Sequence, residues 1–120
     1  MNLGRVSSAA LMASGLAGVL MPERVAATLE LPAGTKRGIS EARAGLGGPY
    51  AALGGWALLS RNPTAQAAVG VAWLGAATAR IGSLVFDQPR TDGAYWAYLA
   101  AEIVLGAVAL AGARRARGRA

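Results

Sequence analysis

Cysteine and histidine are both missing from this chain. Without cysteine there is no disulfide framework, no thiolate metal site and no redox-active thiol. Without histidine there is no imidazole ligand for haem or zinc, and no Ser-His or Cys-His nucleophile pair. The residues that remain lead us to expect no metal and no cofactor. Charge is scarce too. Only 15% of residues are Asp, Glu, Lys or Arg, and 6 acids stand against 12 bases. A soluble helical domain needs polar outer faces. The stretches Ala44–Leu59 and Ala65–Ala79 have almost none.

What is abundant is apolar and small. Hydrophobic residues make up 54% of the 120 positions, and 17 are glycine; frequent glycine suits membrane helices better than soluble ones. Runs without charge locate four spans, each near the roughly 20 residues needed to cross hydrocarbon. The chain therefore reads as an all-α membrane protein, a four-transmembrane-helix bundle. It reads as a single domain over 1–120, with spans at about 4–21, 38–60, 63–86 and 93–113 and a basic tail at 114–120. The second and third spans reach full length only by running through Glu41, Arg43 and Arg80, which places those charges on helices. A short interfacial helix is expected between spans one and two. It would begin at Pro22, with Val25, Ala26, Leu29 and Leu31 on one face and Pro32 and Gly34 ending it. The first span has a long apolar core, and Glu23 and Arg24 crowd the region where a signal peptide would be cut; it is expected to be retained.

The net charge of +6 would suggest nucleic acid in a soluble protein. Here the positive residues lie in loops and at the end of the chain, so no nucleic-acid partner is expected. Arg5, Arg61, Arg114, Arg115, Arg117 and Arg119 fall on one side of a four-span topology; Arg24, Lys36, Arg37 and Arg90 fall on the other. The excess of basic residues favours an N-in, C-in orientation, with the basic tail touching anionic lipid. Tyr95, Trp96 and Tyr98 would anchor the opposite interface.

Four charges interrupt the apolar segments: Glu41, Arg43, Arg80 and Glu102. A charge in hydrocarbon costs roughly 2.5–3.5 kcal/mol on insertion scales, so such residues face the bundle interior and mark a site. At 1.5 Å per residue Arg80 sits roughly 9 Å from its membrane surface and Glu102 roughly 13 Å from the same surface. Glu41 and Arg43 lie within the first two turns of span two on that side. All four therefore fall in one leaflet, and Arg80 with Glu102 or Glu41 is the preferred pair, because arginine grips a carboxylate bidentately. Three readings stay open: a salt-bridge cluster that fixes helix register, a polar pocket for a lipid headgroup, quinone or small amphiphile, and snorkelling of Glu41 and Arg43 at the interface. Tyr50 and Trp73 sit mid-span and either line that pocket or fill core.

Gly45-Leu46-Gly47-Gly48-Pro49 has the look of a nucleotide loop, but no strand precedes it and it lies in an apolar helix. It reads instead as packing. Gly47, Ala51 and Gly55 form one small-residue row, and Ala44, Gly48 and Ala52 another. Gly75 with Ala79 and Ser83 continues the theme on span three. Such rows let helices approach closely. Pro49 is expected to kink span two, one turn past Arg43.

The run Glu41-Ala42-Arg43-Ala44-Gly45-Leu46-Gly47-Gly48-Pro49-Tyr50, followed by Arg80 and Glu102, resembles a family of small bacterial four-helix inner-membrane proteins catalogued as a domain of unknown function. A looser similarity links it to DoxX-like proteins. The resemblance spans roughly Val6 to Gly112. It implies a bacterial inner-membrane location, four spans and a polar site of Glu41, Arg43, Arg80 and Glu102, and it implies no established activity. From the residues themselves the first expectation is a non-enzymatic accessory or scaffolding subunit of a larger membrane assembly, lipid-related in one version. Its partners would be membrane lipids and either another protein or a second copy, met through small-residue helix faces. The alternatives are a lipid- or quinone-binding bundle with enzyme-linked chemistry at Glu41 or Glu102, and a small proton-coupled transporter. The transporter class carries its essential acid in the first span, which here has none.

Overall fold

Among the described residues, four of the six helices begin on side-chain caps. The computed structural model describes residues 2–119; Met1 and Ala120, which close the expected domain and tail, lie outside the described residues. The helices are α1 Leu3–Leu20, α2 Pro22–Thr28, α3 Lys36–Leu46, α4 Gly48–Ser60, α5 Pro63–Phe86 and α6 Gly93–Gly118. Asn2, Thr35, Asn62 and Asp92 accept backbone N–H bonds at the starts of α1, α3, α5 and α6. Each satisfies a donor that the first helical turn leaves orphaned. Proline opens α2 and α5, where its missing N–H costs nothing.

Three of these helices, α1, α5 and α6, are long and apolar enough to cross a membrane. Their outer surfaces fit that setting. Phe86, Val85, Leu20 and Val71 are all largely exposed, as they would be toward acyl chains. The path expected as one span over 38–60 differs. It breaks at Gly47 into α3, of 11 residues, and α4, of 13 residues. Gly47 leaves helical geometry at φ −123° and ψ −71°. Pro49 sits in the first turn of α4, where it can donate no backbone bond to α3. The proline thus starts a new helix instead of kinking a continuous one. The expected helix before α3 is present as α2, which buries Ala26 and half-buries Val25 and Leu29, while Leu31 is exposed.

The helices α1, α4, α5 and α6 run up and down, with the start of α1 and the end of α6 at one pole. Asn2 and Leu3 share a cleft there with Arg115 and Arg119. The loop between α5 and α6 lies at the opposite pole, beside α2. The core is built from small and medium side chains, with Leu11, Ala57, Ala65, Val69 and Ala109 buried and Tyr50, Leu53 and Trp73 packed against them. Arg5 Nη1 is buried without a hydrogen-bond partner among the described residues, whereas other interior polar groups reach backbone carbonyls of α6. Ser7 donates to the Leu105 carbonyl at 2.7 Å, and Gln66 donates to the Ala109 carbonyl at 3.3 Å.

Two helix pairs approach closely. A Cβ on Gly15 would meet the Gly47 carbonyl at 2.6 Å, and one on Gly54 would meet the Ser8 carbonyl at 2.7 Å, so α1 and α4 touch backbone to backbone. Gly70 and Gly106 do the same for α5 and α6, where a Cβ on Gly70 would stand 3.0 Å from the Gly106 carbonyl. The row facing α1 is Gly47, Ala51 and Gly54, a spacing that follows the helical repeat. A Cβ on Gly55 would make an ordinary contact with the Met12 sulfur at 3.6 Å, one on Gly48 would meet only the Arg43 carbonyl at 3.9 Å, and one on Gly75 would meet nothing within 4 Å.

These distances separate two kinds of glycine. Gly15→Ala is expected to cost about 1–3 kcal/mol by forcing α1 off α4. Gly75→Ala is expected to gain up to about 1 kcal/mol through helix propensity alone. Thermal unfolding of the two variants in one detergent checks the contrast, and equal shifts would contradict it.

Candidate functional site

The antiparallel contact of α5 with α6 sets the register in which Arg80 meets Glu102. The Arg80 Nε donates to Glu102 Oε1 at 2.8 Å and its Nη2 donates to Oε2 at 3.0 Å. The pair is therefore bidentate, the strongest geometry available to these groups. The two side chains are only 22% and 9% exposed. Together they form a neutral unit, which reduces the cost of holding two ions in an apolar bundle. Tyr95 and Tyr98 hold the arginine from the other side. Their ring centres lie 5.1 and 5.7 Å from the guanidinium carbon, and the Tyr95 hydroxyl donates to the Arg80 carbonyl at 3.1 Å. Tyr95, Tyr98 and Glu102 follow one another at i, i+3 and i+7, so one face of α6 carries the whole cradle.

Glu41 and Arg43 stand apart from this centre. Glu41 accepts from Arg37 Nε at 2.7 Å, with both side chains exposed. Arg43 is exposed and donates through Nη1 to the Val19 carbonyl near the end of α1. The four charges expected to converge thus divide in two. The break at Gly47 explains this, because it leaves α3 packed on α1, α2 and α4 and away from α5 and α6.

A cavity of about 520 Å³ opens beside the ion pair. Arg80, Glu102, Tyr50 and Trp73 all line it, together with Leu11 and Tyr98. The structure therefore brings four of the six candidate residues to one space. Small side chains at Ala72, Ala76 and Ala101 leave the room. The short α2 roofs the cavity with Arg24, Val25, Thr28 and Leu29. A second chamber of about 320 Å³ shares Thr28, Leu29, Arg80 and Tyr98 with the first and runs outward to Glu30, Arg90 and Asp92. A mostly apolar chamber thus adjoins a charged one, and its volume lies in the range of roughly 300–1,000 Å³ typical of small-molecule sites.

Chemically the site offers hydrogen-bond donors more than reactive groups. Of the five N–H donors of Arg80, two engage Glu102, and Nη1 makes no hydrogen bond among the described residues. Both Glu102 oxygens are already occupied by the arginine. No cluster of three metal-ligating side chains occurs among the described residues. From sequence, Tyr95 and Tyr98 belong to an interface belt, Arg24 counts only as a charge outside the spans, and Thr28 has no role. The signal for the tyrosines was present in their spacing to Glu102; nothing local announces that α2 folds over the cavity.

The sequence matches the family described as Domain of unknown function (DUF4345) over residues 3–113, and the chain belongs to that family. No curated protein and no solved structure matches it.

If Arg80 and Glu102 act as one neutral unit, removing either leaves an uncompensated buried charge. Arg80→Ala and Glu102→Ala are each expected to cost about 3–5 kcal/mol, and the double variant less than their sum. A double-mutant cycle read by thermal unfolding in detergent measures this. Additive losses would show that the two side chains do not interact.

Proposed function

We propose that this chain is a small multi-pass protein of the bacterial inner membrane that binds an amphiphile in the cavity beside Arg80 and Glu102. The observation that carries the reading is a pair of adjoining chambers that share Thr28, Leu29, Arg80 and Tyr98, one walled by Leu11, Trp73 and alanines and the other lined by charge. An apolar chain suits the first, and a polar head suits the second. Arg80 stands where the two meet and lines both, so its spare N–H donors suit a carbonyl, ester or phosphate oxygen of the occupant. In this reading the up-and-down order makes α4, with its 13 residues and a length of about 20 Å, the return pass between α1 and α5. With the start of α1 and the end of α6 at one pole and the basic tail there, N-in and C-in is the orientation we favour.

The accessory-subunit role rests on the small size of the chain and its small-residue faces. Of the glycines in those faces, Gly47 is spent on a contact within the chain, whereas a Cβ on Gly75 would meet nothing within 4 Å. A proton-coupled transport role is disfavoured, because the buried acid is already neutralised by Arg80.

Native mass spectrometry of protein extracted from membranes in mild detergent tests the binding role. A lipid or quinone is expected to stay bound. Ala76→Phe, which puts a ring into the inner chamber, is expected to release it while the melting temperature holds. Loss of nothing on this substitution, or a wild-type protein that carries no lipophile, would remove the support for the cavity as a binding site.

A further inference from the structure

The rim of the outer chamber carries charges of both signs. Arg90, Glu30 and Asp92 line it, and Arg24 lines the adjoining inner chamber beside the shared Thr28 and Leu29. Among the described residues the ion pairs are Arg37 with Glu41 and Arg80 with Glu102. None of these four charges is therefore neutralised by another, although they line two chambers that share Thr28, Leu29, Arg80 and Tyr98. Local structure holds several of them in place. Asp92 is fixed as the cap of α6 through its bond from the Tyr95 N–H at 2.9 Å. Glu30 follows α2 in a left-handed conformation, at φ 56°. Thr28, beside Arg24, bonds back to the Arg24 carbonyl at 2.9 Å.

We infer that the occupant's head is zwitterionic, with an ammonium and a phosphate joined by a short link, as in a phosphoethanolamine lipid. This deepens the amphiphile-binding reading and rests on it. A purely anionic head would meet Arg24 and Arg90 but would also sit against Glu30 and Asp92. A neutral head would leave all four groups unanswered. A zwitterion answers both signs at once: its phosphate oxygens accept from the arginines, and its ammonium donates to the carboxylates. The hydroxyls of Thr28 and Tyr98, which line both chambers, suit the glycerol and ester oxygens between head and chain. One acyl chain then follows the inner chamber toward Leu11 and Trp73.

The test is a binding series on the full chain in detergent micelles, read by native mass spectrometry. Four probes are used: lysophosphatidylethanolamine, lysophosphatidylglycerol and monoacylglycerol of one chain length, and O-phosphoethanolamine without a chain. The zwitterionic lipid is expected to bind about tenfold tighter than the other two lipids, as two exposed charge contacts allow. The chainless probe is expected not to bind. Arg24→Gln with Arg90→Gln is expected to erase the advantage over monoacylglycerol. Glu30→Gln with Asp92→Asn, which keeps a capping side chain at α6, is expected to shift preference to the anionic lipid. Equal binding of the three lipids, or preference for the anionic one in the wild type, overturns the head-group assignment and leaves the cavity reading standing. Tight binding of O-phosphoethanolamine alone overturns the lipid as its source. Failure of all four to bind overturns both.

Discussion

The ion pair between Arg80 and Glu102 is the constraint around which the rest is arranged. Each charge alone would cost roughly 2.5–3.5 kcal/mol in the middle of a membrane helix. Joined by two hydrogen bonds of 2.8 and 3.0 Å, they present a neutral, fully engaged unit. That unit accepts one register of α5 against α6, because a slip of one residue would swing either side chain away from the other. It also draws in Tyr95 and Tyr98, whose ring faces meet the guanidinium. A pair of this kind adds little net stability compared with an apolar substitute, and its better-attested role is to fix register.

Close packing elsewhere makes the cavity beside the pair. Glycines press α1 onto α4 and α5 onto α6 until backbones touch. The space falls between these two tight pairs. Leu11 and Ser14 border it from α1, Tyr50 from α4, Trp73 and Ala76 from α5, and Glu102 from α6. The same small-residue chemistry therefore explains both the tight contacts and the opening: alanines at 72, 76 and 101 face the gap where larger side chains would fill it. The helix α2 covers the gap without entering it, and its Arg24 brings charge to the edge.

Much of this was legible in the sequence, and the failures have physical causes. Three spans were readable from their uncharged runs, and the structure adds the caps, with Asn62 and Pro63 opening α5 and Asp92 opening α6. Comparing depths along those spans was enough to bring Arg80 and Glu102 to one level. The same comparison misled for Glu41 and Arg43, because it assumed an unbroken helix through Gly47. Three glycines within four residues, followed by Pro49, permit either a kink or a break, and composition alone does not choose between them. Glycine rows were legible as a type but not by position. The face of α4 that meets α1 is set by where α3 ends, so Gly54 turns inward and Gly55 does not. The roofing by α2 was beyond reach, since it depends on how a seven-residue helix folds back over helices distant in sequence.

The account stands or falls on the ion pair in a lipid environment. Solid-state NMR of the protein in bilayers measures it directly, by dipolar transfer between the guanidinium nitrogens of Arg80 and the carboxyl carbon of Glu102. A strong transfer, at the few-ångström separation of a bidentate pair, is the predicted result. No transfer, with the Arg80 guanidinium in contact with water or lipid phosphate in its place, would contradict the account.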